Sequence, residues 1–300
     1  MAAKIIPVFA VSDATLTSST VPENDHSAWD TGTSYANTVR VIKGHKIWES
    51  VQSSNVGHDP EADDGTWWSE YLATNRWKVF DSYIQDQAEQ AESAEWVVTP
   101  GETINSVSLF GLYAASVTIT VTDPTDGVVY DKTFDLTDNS GVIDGYTYFF
   151  SPIVLKSELC VTELPPYSGA AIRVLVSNPG GTAKVGQICL GYAEELGITL
   201  DQLPLGMDDY TRLNTDGFGR TSPAQRGYAR TARPMIAVDT YRVPYLETRI
   251  AERRGIATVW AFDTAQGENF LVYLGFFTSM TPIFQYAGKS TLDLEIRSLV

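Results

Sequence analysis

The segment 27–71 constrains the fold more than any other part of the chain. It is rich in Gly, Ser and Asn, offers little aliphatic material for a core, and contains closely spaced aromatic residues that include Trp29, Tyr35, Trp48, Trp67 and Trp68. A segment this short cannot bury an ordinary hydrophobic centre, so its aromatic side chains must build a small core. Because side chains alternate between the two faces of a strand, Trp67 and Trp68 should point in opposite directions, one inward and one outward.

The spacing of these aromatic residues resembles that of the small chitin-binding-type carbohydrate-binding modules. Their pattern is a Trp, a Tyr, a Val-rich strand, an aromatic strand ending in Ser, and a Pro shortly before another Trp. The matching positions here are Trp29, Tyr35, 39–41, 48–50, Pro60 and Trp67. The resemblance implies that indole rings of this segment stack on sugar rings, with candidates Trp29, Tyr35, Trp48, Trp67 and Trp68. A purely structural or subunit-packing role for the same rings is the alternative.

Through most of the remaining chain, apolar residues recur at every second position, which is typical of strands with one buried face. Runs such as VTITVTD and AAIRVLVS are separated by turn sequences such as DPTDG and SNPGG. One amphipathic helix is predicted at 245–254, with Gly255 after its end. The sequence thus predicts a mainly β, multi-domain protein: an N-terminal strand and linker (1–26), the aromatic module (27–76), an antiparallel β-sandwich (77–198) and a smaller α+β domain (199–300).

Two further resemblances concern the larger parts. The sandwich begins near TNRWKVFD, closes with GQICLGYAEELG, and resembles the galactose-binding-type jelly roll, a fold that binds sugars, proteins or nothing at all. The last hundred residues read strand, helix, then four strands, including ATVWAFD and STLDLEIRSL. That order resembles a C-terminal domain of tailed-bacteriophage tail proteins. Together the resemblances imply a virion protein.

Charge and cysteine content narrow the classes of partner. The chain carries 37 Asp and Glu against 21 Lys and Arg, a formal net charge of −16. This charge disfavours binding to nucleic acid and to an anionic bilayer. No apolar run approaches the roughly 20 residues of a membrane span, and no signal peptide is recognisable. Cys160 and Cys189 lie in strand-like apolar runs, where a reduced, inert pair is expected ahead of a disulfide.

No catalytic motif stands out. The histidines His26, His45 and His58 lack the spacing of a helical zinc site and do not adjoin a nucleophile motif. Carboxylate pairs such as Asp208 and Asp209 are the only material for hydrolysis, and nothing distinguishes them from turn-forming Asp residues. The sequence therefore predicts a protein that is not an enzyme.

One acidic cluster has some features of a calcium loop. Asp59, Glu61 and Asp63 supply oxygen at alternate positions and Glu70 follows. Asp64, however, stands where an EF-hand loop requires glycine, and no flanking helices are evident. Calcium is therefore a candidate cofactor, with a solvated acidic loop as the alternative.

Four arginines lie in a loop-like stretch with few aliphatic residues: Arg220, Arg226, Arg230 and Arg233. They are expected to be exposed and to dock onto an acidic partner surface.

These observations predict a non-enzymatic structural protein of a phage tail or tail tip, which forms homo-oligomers, contacts other virion proteins and attaches to host-surface glycans. It would assemble in the host cytoplasm and end in the virion. One alternative is a purely architectural virion protein, such as a collar, capsid decoration or tail ornament. Another is a polysaccharide-degrading enzyme with an accessory binding module.

Overall fold

The computed structural model describes residues 2–200, 203–215, 217–263, 270–286 and 288–299. In this part of the chain the strands run, in order, β1 Ala2–Pro7, β2 Leu16–Ser19, β3 Arg40–Lys43, β4 Lys46–Ser50, β5 Trp68–Ala73, β6 Ala88–Val98, β7 Ser106–Phe110, β8 Ser116–Asp123, β9 Gly127–Asp135, β10 Thr137–Asp138, β11 Val154–Leu155, β12 Glu158–Val161, β13 Ala171–Val185, β14 Gln187–Gly191, β15 Glu194–Thr199, β16 Leu205–Asp209, β17 Arg212–Thr215, β18 Thr221–Ala224, β19 Tyr228–Ala232, β20 Met235–Asp239, β21 Thr258–Asp263, β22 Phe270–Tyr286 and β23 Lys289–Ser298. The helices are α1 Gly145–Phe150 and α2 Val243–Ala251, with single 3-10 turns at Lys78–Phe80 and Thr240–Arg242. The protein is mainly β and multi-sheet, which confirms the predicted fold class.

The β-sandwich consists of two antiparallel sheets. One has five strands in the order β2-β6-β13-β8-β9, and the other has three in the order β12-β7-β14. The alternation seen in the sequence places Val117, Ile119 and Val121 of β8 inside and the intervening Thr residues outside. Trp96 of β6 is fully buried in the core between the sheets.

The C-terminal part is a barrel-like sheet. Six strands form a closed antiparallel ring in the order β23-β20-β15-β1-β21-β22, and β19 and β16 extend it from β23. Helix α2 packs Leu246 and Ile250 into the barrel core beside Trp260 and Phe262. The helix ends before Gly255, whose φ of 70° suits a residue without Cβ.

The first 26 residues do not form a separate unit, which corrects the sequence-based division. Strand β1 pairs with β15 and β21 and so completes the barrel, whereas β2 is the edge strand of the five-stranded sandwich sheet. The predicted boundary between residues 198 and 199 falls inside β15. Both larger parts therefore contain strands from distant stretches of the chain.

The sandwich and the barrel share an apolar contact. Ile6 of β1, Phe110 of β7, Cys189 of β14 and Leu274 of β22 belong to one buried cluster. Cys160 and Cys189 both lie opposite Ser108, on the two strands that flank β7, and both are free thiols. Burial raises the pKa of Cys160 to about 11 and that of Cys189 further, so both thiols stay protonated near neutral pH.

Two segments project from these sheets with exposed apolar side chains. The first is the hairpin arm of β16–β19 and β17–β18, in which Met207, Leu213 and Phe218 are exposed. The second, residues 139–153, sits on the short β10–β11 stem and carries α1. Among the described helices, none combines the length and the apolar character that crossing a membrane would require.

Candidate functional site

The aromatic module is a three-stranded antiparallel sheet in the order β3-β4-β5. Strands β3 and β4 are joined by a two-residue turn in which Gly44 and His45 have φ of 57° and 64°. Two positive φ values in succession are the geometry of a type I′ hairpin turn, whose twist matches that of the flanking strands. At Gly44 a Cβ would lie 2.1 Å from Glu61 Oε1, so the exposed Glu61 side chain would have to move to make room for it.

The core of the module is aromatic. Tyr35, Val41 and Trp68 are buried, and Trp29, Trp48 and Trp67 pack around them. The rings of Tyr35 and Trp68 meet edge to face with 5.3 Å between centroids, and Trp68 Nε1 donates to the carbonyl of His58 at 2.9 Å.

Two of the predicted sugar-contacting residues are therefore core residues instead. Trp68 has 1% of its surface exposed and Tyr35 has 6%, so neither ring has a face for a ligand. Trp67 lies just before β5 and is half-buried, so of the two adjacent indoles only that of Trp68 lies fully in the core. Trp68 thus belongs to the core of the module, whereas Trp29, Trp48 and Trp67 are partly exposed at its surface.

The three outer indoles are already oriented by protein groups. The His58 ring stacks on Trp67 at a centroid distance of 3.8 Å and an interplanar angle of 9°, so one indole face is covered. Trp48 Nε1 donates to the carbonyl of Lys43 at 3.0 Å, and the Lys43 ammonium lies 4.2 Å from the Trp29 ring. A ligand can stack only on the faces that these contacts leave open.

Sequence reasoning missed a further aromatic side chain. Tyr71 of β5 is 46% exposed, and the Arg40 guanidinium lies 3.5 Å from its ring centroid, held by a 2.7 Å ion pair with Glu49. Tyr71 stands at a register shift between β4 and β5, where Trp48 pairs with Glu70. A bulge cannot be read from residue spacing, so the sequence carried no signal for this exposure.

The four calcium candidates are not brought together. Asp59 and Glu61 both approach Lys43, at 2.5 and 3.7 Å, and Glu70 pairs with Lys46 at 2.7 Å. Asp63 Oδ2 accepts three backbone N–H groups, from residues 65, 67 and 68, at 2.9–3.0 Å. Over the described ranges, no group of three or more His, Cys, Asp or Glu side chains is placed to hold a metal ion. The three hydrogen bonds to Asp63 Oδ2 fix the backbone at the start of β5.

The module is tied to the rest of the protein through His45. Its Nδ1 lies 2.8 Å from Glu23 and its Nε2 lies 2.8 Å from Asp13, while its ring packs on Trp77 at 4.5 Å. Burial by itself lowers the pKa of His45, but the hydrogen bonds to Asp13 and Glu23 outweigh burial and raise it. Two carboxylate partners favour the doubly protonated imidazolium.

The arginines do not form one docking surface. Arg230 Nη2 lies 2.7 Å from Glu158 and donates to the carbonyl of Val272 at 2.6 Å, so it joins the barrel to the sandwich. Arg233 is exposed but pairs with Glu295 at 2.5 Å. Arg220 and Arg226 are exposed on the hairpin arm. The four arginines of the predicted docking segment thus lie in two places: Arg220 and Arg226 on the arm, and Arg230 and Arg233 in or just after β19.

The carboxyl group of Asp81 has a pKa above its ordinary value. Burial raises this pKa to about 6, and the charge of nearby Asp86 adds to the rise. Asp81 Oδ1 accepts from Tyr83 N and Gln187 Nε2, while Asp86 pairs with Lys78 at 2.8 Å. Two cavities lie elsewhere: a groove lined mainly by residues of β9 and β12, and a smaller cavity lined in part by Arg230. Neither Asp81 nor Asp86 lines either of them. The pair therefore links the Lys78–Phe80 turn to β14.

Comparisons of the chain with protein-family models, with curated proteins and with solved structures found no match.

Proposed function

We propose that the chain is a non-enzymatic structural protein of a phage tail or tail tip, which assembles with further copies and other virion proteins and contacts host-surface glycans through the aromatic module. The observation that carries the glycan contact is the half-buried state of Trp48 and Trp67 on a small module with its own aromatic core. Tyr35 and Trp68 belong to the core of the module, whereas the indoles of Trp48 and Trp67 are partly exposed at its surface.

The surroundings of the two indoles suit a sugar. His58 covers one face of Trp67, so the proposed sugar ring stacks on the opposite face. The stacked imidazole fixes the orientation of the indole ring. Polar groups of Arg40, Glu49 and Glu70 lie on the same small sheet and supply hydrogen-bond donors and acceptors. One such site binds weakly, on the order of millimolar to micromolar, and gains strength when many copies act together.

Assembly is supported by the projecting hairpin arm. Exposed Leu213 and Phe218 accompany Arg220 and Arg226 on the arm. An apolar arm with cationic residues suits the acidic surface of another subunit of a chain whose net charge is −16.

A glycan array that includes bacterial surface polysaccharides and chitin fragments tests the glycan contact, with the full chain multimerised on beads. Trp48→Ala and Trp67→Ala should each lose binding while the fold is retained. Tyr113→Ala is the matched control, because Tyr113 is 53% exposed on the sandwich, outside the module. Equal loss in the control, or full binding by both Trp variants, would argue against the proposed site.

The purely architectural function is the second candidate, and it is favoured by the covered face of Trp67. In that case Trp48 and Trp67 pack against a neighbouring subunit instead of a sugar. The folded, multimerised chain would then bind no array glycan, and both Trp variants would impair assembly.

The enzyme alternative depends on two carboxylates in a sugar cleft, one of them with a raised pKa. Asp81 has a raised pKa, but it does not line the groove or the smaller cavity, and its Oδ1 accepts from Tyr83 N and Gln187 Nε2. Asp81→Asn should leave glycan binding unchanged. Release of reducing ends by the wild type that disappears in Asp81→Asn would establish the enzyme instead.

A further inference from the structure

We propose that the aromatic lobe, residues 139–153, inserts into the groove beside β9 and β12 of a second copy of this chain. The lobe and the groove border one another on the same molecule. The proposed contact needs only a second copy of this chain, so its test does not depend on whether the protein belongs to a virion.

The lobe presents its large side chains almost entirely to solvent. Six of them are between 69% and 84% exposed: Ile143, Tyr146, Tyr148, Phe149, Phe150 and Ile153. Their four aromatic rings alone expose an apolar area on the order of 500 Å². A monomer rarely exposes a larger contiguous patch than a few hundred Å², and larger ones mark interaction sites.

This exposure belongs to an ordered local structure. Asp144 caps α1 by accepting from Thr147 N at 2.8 Å, and the Thr147 hydroxyl accepts from Asp144 N, so the two residues form a capping box. The rings pair with each other, Tyr146 with Phe150 and Tyr148 with Phe149, at 4.9 and 5.2 Å. No residue of α1 is buried against the rest of the chain. The lobe is thus preformed, and none of residues 139–153 is buried against the part of the chain that the structure describes.

The groove offers a complementary surface. It measures about 560 Å³, within the range of about 300–1,000 Å³ that buries drug-sized ligands. Phe134, Leu159 and Val161 supply an apolar part of its lining, which also includes five charged residues: Lys132, Lys156, Asp135, Glu158 and Glu163. Lysine ammonium groups bind the faces of aromatic rings, and the carboxylate of Glu163 can accept from a tyrosine hydroxyl.

The composition of the lobe suits a protein groove better than a membrane surface. Asp144 is the only charged residue of the lobe. Interfacial membrane segments carry Lys and Arg beside their apolar face, and the lobe has none. The lobe therefore offers apolar and aromatic contacts, and the lining of the groove combines apolar residues with charges of both signs.

The position of the lobe permits a two-fold exchange. Its stem runs from Asp135, at the end of β9, through the β10–β11 pair to Lys156, and both of these residues line the groove. A two-fold axis beside the stem would bring each lobe to the groove of the other copy, which is the self-complementary contact of a closed dimer. Two lobes and two grooves provide an interface of about the usual size, roughly 800 Å² per partner.

Sedimentation velocity on the full chain over a range of concentrations tests this interface. Phe149→Ser/Phe150→Ser (lobe variant) and Lys132→Glu/Lys156→Glu (groove variant) should each weaken self-association by about 30-fold or more, since truncated anchors and reversed charges lose the central contacts. Tyr113→Ser/Tyr241→Ser is the matched control, because these exposed aromatics lie outside lobe and groove, and it should sediment like the wild type.

Mixing the two variants gives the decisive result. The lobe variant keeps its groove and the groove variant keeps its lobe, so the mixture should recover a 1:1 dimer that neither forms alone. A wild type that stays monomeric, variants that associate like the wild type, or a mixture without dimer would each overturn the inference. Lobe-dependent co-sedimentation with phosphatidylcholine vesicles would also overturn it, in favour of a lipid surface. Glycan binding by the module is measured separately and is unaffected by any of these outcomes.

Discussion

Arg230 of β19 and Glu158 of β12 form an ion pair of 2.7 Å that joins the barrel to the sandwich. Arg230 also places its guanidinium 4.7 Å from the Tyr273 ring centroid. Burial raises the pKa of Glu158, although the charge of Arg230 opposes that rise. The positive charge of Arg230 therefore favours the ionised form of Glu158.

Removing Arg230 should destabilise the protein. Arg230→Met leaves the Glu158 carboxylate partly buried without its cation, at a cost of about 2 kcal/mol in the free energy of unfolding. Arg226→Met, on the exposed arm, should change it by less than about 0.5 kcal/mol. Urea denaturation of the two variants compares them. If the two midpoints coincide, the ion pair does not hold the barrel to the sandwich.

The two adjacent tryptophans should differ in what they contribute to stability. Trp68→Ala removes a ring that is 1% exposed and should cost about 3–5 kcal/mol in the unfolding of the module. Trp67→Ala removes a half-buried ring and should cost about 1 kcal/mol. Thermal unfolding followed by near-ultraviolet circular dichroism reports both. Similar losses in the two variants would mean that Trp67 is also a core residue.

The attachment of the module should weaken with rising pH. The folded-state pKa of His45 is raised above its ordinary value of 6.5, so the stability it provides is fully present below pH 6.5 and is lost as pH rises through the folded-state value. His45→Asn removes the titrating group at a position whose φ of 64° asparagine tolerates. Melting temperatures measured from pH 5.5 upward should show a fall in the wild type that the variant lacks.

Asp81 should change the stability of the protein at lower pH than His45 does. Its pKa is about 6 in the folded protein against an ordinary value of 3.8, so the native state binds more protons between these values. Stability contributed by this group is therefore present below pH 3.8 and is lost as pH rises to about 6. Asp81→Asn keeps an acceptor for Tyr83 and should be more stable than the wild type above pH 6, with the advantage vanishing near pH 4. An advantage that is independent of pH would contradict the raised pKa.

The alternation of apolar residues predicted the strands well because burial of one strand face is a local property. The runs 117–123 and 128–136 correspond to β8 and β9. Two predicted strands at 270–277 and 282–287 instead form the single strand β22, which passes a register shift near Ser279. The NPGG sequence, expected as a turn, lies inside β13 as a bulge opposite β6. A bulge is defined by how one strand pairs with another, and the spacing of residues along one strand does not show which strand its partner is.

Long-range pairing and burial could not be predicted from spacing. Nothing in residues 2–7 indicates that β1 closes a sheet with β15 and β21, nearly the whole chain away. The aromatic content of the module was evident, but which rings face inward depends on the packing of Tyr35 against Trp68. The aromatic lobe could not be recognised in the sequence, because the apolar residues at 142–154 do not themselves show whether their side chains are buried or exposed.

The affinity of the full chain for its strongest array glycan tests the central claim most directly, measured for the wild type, Trp67→Ala and the Tyr113→Ala control by titration calorimetry. If the face of Trp67 opposite His58 holds a sugar ring, Trp67→Ala should weaken binding by about tenfold while the control keeps the wild-type affinity. An unchanged affinity in the folded Trp67→Ala variant would contradict the claim and place the glycan elsewhere.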